Sequence, residues 1–291
     1  MDSLTFSCNH ECPIVQCSPE LLYKYIMKHS LIVTDIHFSE ENILAEGSDS
    51  TIYHIEDDVL GSVVAKVMNV GDCRITETLL GHYQRLLMEF FNEVRVLTVC
   101  KKRPILKLIG CQATPLTLFG EYYELGDLFN YLSKRKHSLP LSVVKRMAED
   151  ICLAVVALHS IGWIHRDIKS PNIFLHDGSP PRCVLADFGL TYGYDGKENN
   201  MVDNPTWMAP EVLKGSPFTY ASDVYACGIV IWELATGQRP FANVTFFSSL
   251  ISRIIEGDHP DVTRIDNPTL STLCESCWGE DPSERPSINV V

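Results

Sequence analysis

His165-Arg166-Asp167-Ile168-Lys169-Ser170-Pro171-Asn172 is the stretch on which the reading of this chain turns. Asp187-Phe188-Gly189 begins fifteen residues after Asn172, and Ala209-Pro210-Glu211 closes the segment. A carboxylate, an ammonium and a carboxamide are thus gathered within a few positions, ahead of a second carboxylate. Upstream, Val144, Met147, Ala148, Ile151, Ala154, Val155 and Leu158 recur at helical spacing. They predict a long core helix over Leu141 to Ser160 that holds the loop beginning at Ile164. Cys183-Val184-Leu185-Ala186 reads as a short apolar strand delivering Asp187. Thr191 to Asp203 is polar and rich in Gly and Asn, which suits a mobile loop.

Further out, Ser62 to Met68 is a β-branched strand carrying Val64-Ala65-Lys66. A lysine inside an apolar strand is costly unless paired, although an edge-strand lysine can snorkel to water. Phe90, Phe91, Val94 and Leu97 form the apolar face of a helix that carries Glu93, the candidate partner, with Glu89 one turn earlier as the fallback. The residues around Gly71 to Gln84 are expected as an added turn or loop. Ile105 to Gly110 and Leu116 to Phe119 read as two more strands, and Cys274 and Cys277 as one surface and one core position of a helix. In the first 35 residues, Cys8, His10, Cys12 and Cys17 lack the second ligand pair of a zinc finger and read as a flexible tail. Ser18-Pro19-Glu20 looks like a helix start, followed by Leu21, Leu22, Tyr25, Ile26 and His29 on one face.

The 291 residues are 45% hydrophobic and 21% charged, the balance of a globular chain able to bury a core. The net charge of −13 argues against a nucleic-acid or anionic-membrane surface and is compatible with a basic protein partner. No apolar run is long enough to span a bilayer, and the first residues do not resemble a signal peptide. The 11 cysteines are scattered and odd in number, so they are read as reduced thiols of an intracellular, cytoplasmic protein.

The ordered set of motifs from Lys66 to Glu211 resembles the catalytic core of eukaryotic-type protein kinases. Trp207-Met208-Ala209-Pro210-Glu211, Ser222-Asp223-Val224-Tyr225 and Cys277-Trp278 resemble the tyrosine-kinase-like group, whose members mostly phosphorylate serine and threonine. The resemblance covers residues 36–291. It implies an α+β bilobal fold with a β-rich N-lobe over 36–120, a hinge over 121–126 and a helical C-lobe over 127–291. An N-terminal extension, 1–35, would precede it, and the family's final helix would be either truncated from this sequence or missing after Val291. The implied cofactors are ATP and Mg²⁺, and the implied partner is a protein substrate; the oligomeric state stays open. Asp167 would act as catalytic base, and Lys169 would reach the γ-phosphate. Asn172 and Asp187 would hold the metal with hard oxygen ligands. Lys66 would hold the nucleotide phosphates, and Glu93 would hold Lys66. Ala45, Gly47 and Ser50 align with the glycine-rich nucleotide loop, and Glu121 and Tyr123 with the adenine-binding hinge. Gly120 aligns with the position that gates the pocket behind the adenine. His165 and Phe188 would be packing residues, Glu211 and Arg285 a buried ion pair, and Asp223 an anchor for the catalytic-loop backbone. Arg166 would receive a phosphate placed on Thr191, Tyr192, Tyr194 or Thr206.

Three departures matter. The first and third loop glycines are replaced by Ala45 and Ser50. Asp49 stands at the loop tip, where its charge would repel phosphate if turned inward. Asn204 stands where the group carries a threonine that contacts the catalytic Asp and Lys, and an asparagine can make the same hydrogen bond. Two readings follow: an active protein serine/threonine kinase, favoured by the intact Lys66, Asp167, Asn172 and Asp187, or a nucleotide-binding pseudokinase that serves as a scaffold, favoured by these departures and the early end of the chain.

Overall fold

The computed structural model describes residues 36, 38–69, 77–101, 104–135, 137–193 and 204–291. The tail, cysteine and helix expectations for residues 1–35 lie outside them, as do Tyr194 and most of the loop expected over 191–203. The described residues form two compact units: those up to 94 together with 108–121, and 95–107 together with 122–291.

In the first unit, β1 (Ile43–Glu46), β2 (Ser50–Asp57), β3 (Gly61–Met68), β4 (Leu108–Ala113) and β5 (Leu116–Glu121) form one antiparallel sheet in the order β1-β2-β3-β5-β4. The two-residue period of β3 sorts its side chains onto opposite faces. Val63 and Ala65 pack with Ile55 and Phe119 on one face. Met68 packs with Phe90 and Val94 of α1 (Glu77–Val99) on the other, the face that Lys66 shares. The turn before β3 forms because the Asp57 carboxylate accepts from the amides of Val59 and Leu60, at 2.9 and 2.8 Å, and Gly61 takes φ +74°.

Two expectations change here. Residues 77–84 are helical, so α1 begins well before the segment expected as a loop ends. The strand expected over Ile105 to Gly110 splits. Ile105 instead makes an isolated parallel bridge to Leu185, and β4 starts at Leu108 and runs on to Ala113. Ile105 is 3% exposed, so its burial against a different strand outweighs continuity of the apolar run.

The second unit contains α2 (Leu128–Ser133), α3 (Leu141–His159), β6 (Trp163–Ile164), β7 (Ile173–His176), β8 (Arg182–Leu185), β9 (Tyr192–Gly193), α4 (Pro210–Leu213), α5 (Tyr220–Thr236), α6 (Phe247–Ile255) and α7 (Pro268–Cys277). Two short antiparallel pairs, β6 with β9 and β7 with β8, frame the quoted loop. Helix α5 is buried from Ser222 to Leu234, the pattern of a helix apolar on all sides that sits inside a core. Gly237 ends it in the left-handed conformation, φ +65°. Cys274 and Cys277 are both wholly buried, so the expectation of a surface position among them fails. Helix α7 lies against α5 so closely that a Cβ on Gly228 would come within 2.6 Å of the Cys277 Cβ. No helix among the described residues is long and apolar enough to cross a membrane.

Two buried acids brace this unit. Asp150 of α3, fully buried, accepts from Arg182 Nε at 2.7 Å and from the Cys183 amide at 3.0 Å, which fastens α3 to β8. Glu233 of α5 accepts from Ser170 Oγ at 2.7 Å and from Trp207 Nε1 at 2.8 Å. Burial pushes the Glu233 carboxyl up to about 8 from 4.5, against the opposing pull of those two donors.

Gly228→Ala is therefore expected to destabilise the protein by about 1–3 kcal/mol through overpacking, measured by urea unfolding. The Glu233 pKa has a signed consequence. A carboxyl whose folded pKa lies above its unfolded value costs nothing below about pH 4.5, and its penalty grows as pH rises to about 8. The melting temperature should fall over that window, and Glu233→Gln should flatten the part of the decline due to this residue. The amide can still accept from Trp207 and donate to the Ser170 hydroxyl. Identical pH profiles for both proteins would refute the assignment.

Candidate active site

In the first unit, Lys66 Nζ donates to Glu93 Oε2 at 2.8 Å. The Glu93 side chain is 3% exposed, so the lysine is the charge that makes its burial tolerable. Glu89, the fallback, pairs with Arg85 at 3.0 Å. Ala45 lies in β1 opposite Ile52, and Ser50 opens β2 opposite Met68. The hairpin between them is tied by Gly47 N to Ser50 O at 2.9 Å, and Asn69 Nδ2 donates to Gly47 O at 2.9 Å. Asp49 is held from the side by the Arg85 guanidinium. Glu121 ends β5 opposite Val63, and Gly120 lies opposite Val64.

In the second unit, Tyr123 is buried, its ring stacked on Phe174 at 6.2 Å, and its carbonyl accepts from the Gly126 amide at 2.9 Å. The loop after β6 is built on Asp223. Its carboxylate accepts from the amides of His165 at 2.8 Å and Arg166 at 3.0 Å, and pairs with the His159 ring at 2.9 Å. These bonds help hold Arg166 at φ +72°, a conformation rare outside glycine. Lys169 Nζ and Asn172 Nδ2 then converge on one oxygen of Asp167, Oδ2, at 2.7 and 2.8 Å. Asn172 Nδ2 also donates to the Asp167 carbonyl at 3.0 Å. Burial pushes the Asp167 carboxyl up, and the Asp187 carboxylate adds to that push, while Lys169 opposes it. Asp187 itself sits at φ +63°. Its neighbour Phe188 is fully buried and tilted against the equally buried His165 ring at 5.0 Å, so both are packing residues. Burial pulls the His165 imidazole pKa down, which keeps it neutral.

The donor set fits a hard divalent cation. Both protons of the Asn172 carboxamide are directed at Asp167, which leaves its carbonyl oxygen without a donor among the described residues. Together with the Asp187 carboxylate it would offer the oxygen ligands that Mg²⁺ prefers. No group of three or more His, Cys, Asp or Glu is placed to hold a metal among the described residues.

Arg285 forks onto Glu211 at 2.7 and 2.8 Å, the expected ion pair. Asn204 lines a small cavity with Asp167, Lys169 and Trp207 but is exposed, and among the described residues it donates to neither Asp167 nor Lys169. The Arg166 guanidinium lies over the rings of Tyr192 and Phe218, at 5.3 and 5.6 Å. Thr191 is wholly buried, so it is not accessible to a modifying enzyme as packed, whereas Tyr192 and Thr206 are half-buried.

Sequence reasoning passed over Arg85, Asp150, His159 and Glu233. Glu233 alone carried a signal, an acid within the otherwise apolar run from Cys227 to Leu234. The other three each pair with a residue more than 30 positions away, which no local pattern reveals.

Residues 65–291 match the family model described as protein tyrosine and serine/threonine kinase. The probable serine/threonine-protein kinase roco9 of Dictyostelium discoideum is 30% identical over 277 residues, 94% of this chain and 8% of that protein. The serine/threonine/tyrosine-protein kinase HT1 of Arabidopsis thaliana is 36% identical over 205 residues, 69% of this chain and 49% of its own length. The serine/threonine-protein kinase STY46 of the same plant is 30% identical over 207 residues, 70% of this chain and 36% of that protein. The chain therefore spans half or less of the length of these curated relatives. The match over most of the chain, the β-sheet unit that carries the Lys66–Glu93 pair and the helical unit that carries the loop at Asp167 lead to one conclusion: the chain belongs to the protein tyrosine and serine/threonine kinase family.

Proposed function

We propose that the chain is an ATP-dependent protein kinase that phosphorylates serine or threonine hydroxyls, with Asp167 as catalytic base. The observation that carries this reading is the asymmetry of the Asp167 carboxylate. Lys169 and Asn172 both occupy Oδ2, which leaves Oδ1 without a donor among the described residues, available to accept a substrate hydroxyl proton. Bound MgATP supplies the phosphoryl group. As the hydroxyl oxygen bonds to the γ-phosphorus, the bond to the bridging β–γ oxygen breaks and the hydroxyl proton passes to Asp167. Lys169 would offset charge on the transferring group, and Asn172 and Asp187 would hold the Mg²⁺ that offsets more of it. Lys66, oriented by Glu93, holds the nucleotide phosphates. Gly47 also fits this role. The hairpin does not need a glycine there, since a Cβ would meet only Ser50 O at an ordinary 3.5 Å; its use is to leave room for a ligand close to the backbone. Ala45 and Ser50, which are small, keep that room. Glu121 and Tyr123 are assigned to the adenine side. The lobes are assigned to 36–120 and 127–291, with 121–126 as hinge and 1–35 as an extension. The buried thiols, raised in pKa by burial, support a reduced, cytoplasmic setting.

A second reading, a nucleotide-binding scaffold without turnover, is favoured by Asn204, which among the described residues makes no bond to Asp167 or Lys169.

Transfer of labelled phosphate from MgATP to a generic basic protein substrate is expected for the wild type, with a loss of about 10²–10⁴-fold in Asp167→Asn. Equal signals from the two proteins would refute the enzyme, and nucleotide binding without transfer would select the scaffold. The pH dependence follows from the raised Asp167 carboxyl. The base works deprotonated, so kcat/KM should be full at high pH and fall as pH drops through a value above 3.8. Lys169→Ala removes the cation that opposes this rise, so the acid limb of its residual activity should move to higher pH.

A further inference from the structure

The proposed phosphate loop carries an acid at its tip, and the structure shows what holds it. Arg85 Nη2 donates to Asp49 Oδ1 at 3.0 Å and Arg85 Nη1 donates to Asp49 Oδ2 at 3.1 Å, a two-pronged contact of the kind that fixes direction as well as charge. Arg85 Nη1 also donates to Glu89 at 3.0 Å, and Nη2 lies 3.1 Å from His82 Nδ1. The loop backbone is fastened separately. The Asn69 amide donates to the Asp49 carbonyl at 2.9 Å, its side chain donates to the Gly47 carbonyl, and Thr51 Oγ1 donates to Asn69 Oδ1 at 3.0 Å. The main chain of the hairpin is thus tied to the end of β3, and the Asp49 side chain is tied to α1.

Arg85, Glu89 and Glu93 follow one another at four-residue spacing, so they share one stripe of α1. One end of the stripe grips Asp49 and the other grips Lys66. Exposed ion pairs of this kind add little stability, so the contact is better explained by where it puts the Asp49 carboxylate. Without Arg85, an uncompensated negative charge would stand two residues from Gly47, on the loop that has lost two of its glycines. A polyanion approaching those amides would meet that charge at close range.

We infer that Arg85 is a positioning residue for the nucleotide: it holds the Asp49 carboxylate away from the phosphate-binding backbone and couples the loop to the helix face that orients Lys66. This rests on the nucleotide reading of residues 45–50, and the test separates the two. Equilibrium binding of MgATP and of adenosine, which lacks phosphate, is measured on the full chain for wild type, Arg85→Ala, Asp49→Asn and the double variant. Arg85→Ala is expected to weaken MgATP by about 10-fold and leave adenosine within about 2-fold, because only the polyanion feels the released carboxylate. Asp49→Asn in the Arg85→Ala background should restore MgATP to within about 3-fold of wild type, a coupling that a purely structural arginine would not produce. Hydrogen exchange of the amides at 46–50 should accelerate in Arg85→Ala, with the melting temperature as a check on folding. Equal losses for MgATP and adenosine, no loss at all, or no rescue by Asp49→Asn would overturn the clamp while leaving nucleotide binding intact. A wild-type chain that does not bind MgATP would overturn the nucleotide reading and the clamp with it.

Discussion

The Asp223 carboxylate, buried in the first turn of α5, is the constraint on which the loop around Asp167 depends. Two amides, those of His165 and Arg166, would be unpaired without it, and Arg166 would have no local reason to stay left-handed. An anion in such a place is tolerable because it is fully used: both oxygens accept, and His159 adds a third donor when its Nε2 carries the proton. From that anchor the rest follows in order. The backbone turn sets where Asp167 projects, Asp167 gathers Lys169 and Asn172, and Ser170 is pinned from below by Glu233. Asp167, Lys169 and Asn172 of the loop satisfy one another, two acids of α5 hold its backbone and Ser170, and α5 is packed on all sides.

The two acids do different work. Asp223 accepts from backbone and fixes conformation. Glu233 joins side chains of two segments, Ser170 of the catalytic loop and Trp207 just ahead of Ala209-Pro210-Glu211, and it does so at the cost of a strongly raised pKa. Arg285 completes the scheme by forking onto Glu211, and its guanidinium also lies 5.2 Å from the Tyr225 ring of α5. Buried pairs like this secure geometry more than they add stability, because desolvation consumes most of the Coulomb gain. The segment after Asn204 is therefore located by contacts to a rigid helix and not by its own propensity.

The charge pattern on α1 gives the first unit a comparable logic at the surface. Lys66 and Glu93 pair where one partner is nearly dry, so the contact is strict. Arg85 and Asp49 pair where both are partly wet, so the contact is adjustable.

What the sequence determined alone was chemical identity and order: Lys66, Glu93, Asp167, Lys169, Asn172 and Asp187, the helix expected over Leu141 to Ser160, and the short strand before Asp187. These are legible because residue type and short-range spacing carry them, through the 3.6-residue apolar repeat, β-branched runs and motifs a few positions long. Tertiary structure decided the remainder. It extended α1 to Glu77, moved the strand expected from Ile105 on to Leu108, and buried both Cys274 and Cys277 against α5. It turned Asp49 onto Arg85. Each of these outcomes depends on a partner distant in sequence, and burial or a charge across space, which local propensity does not encode, selected among conformations that the local sequence allowed equally.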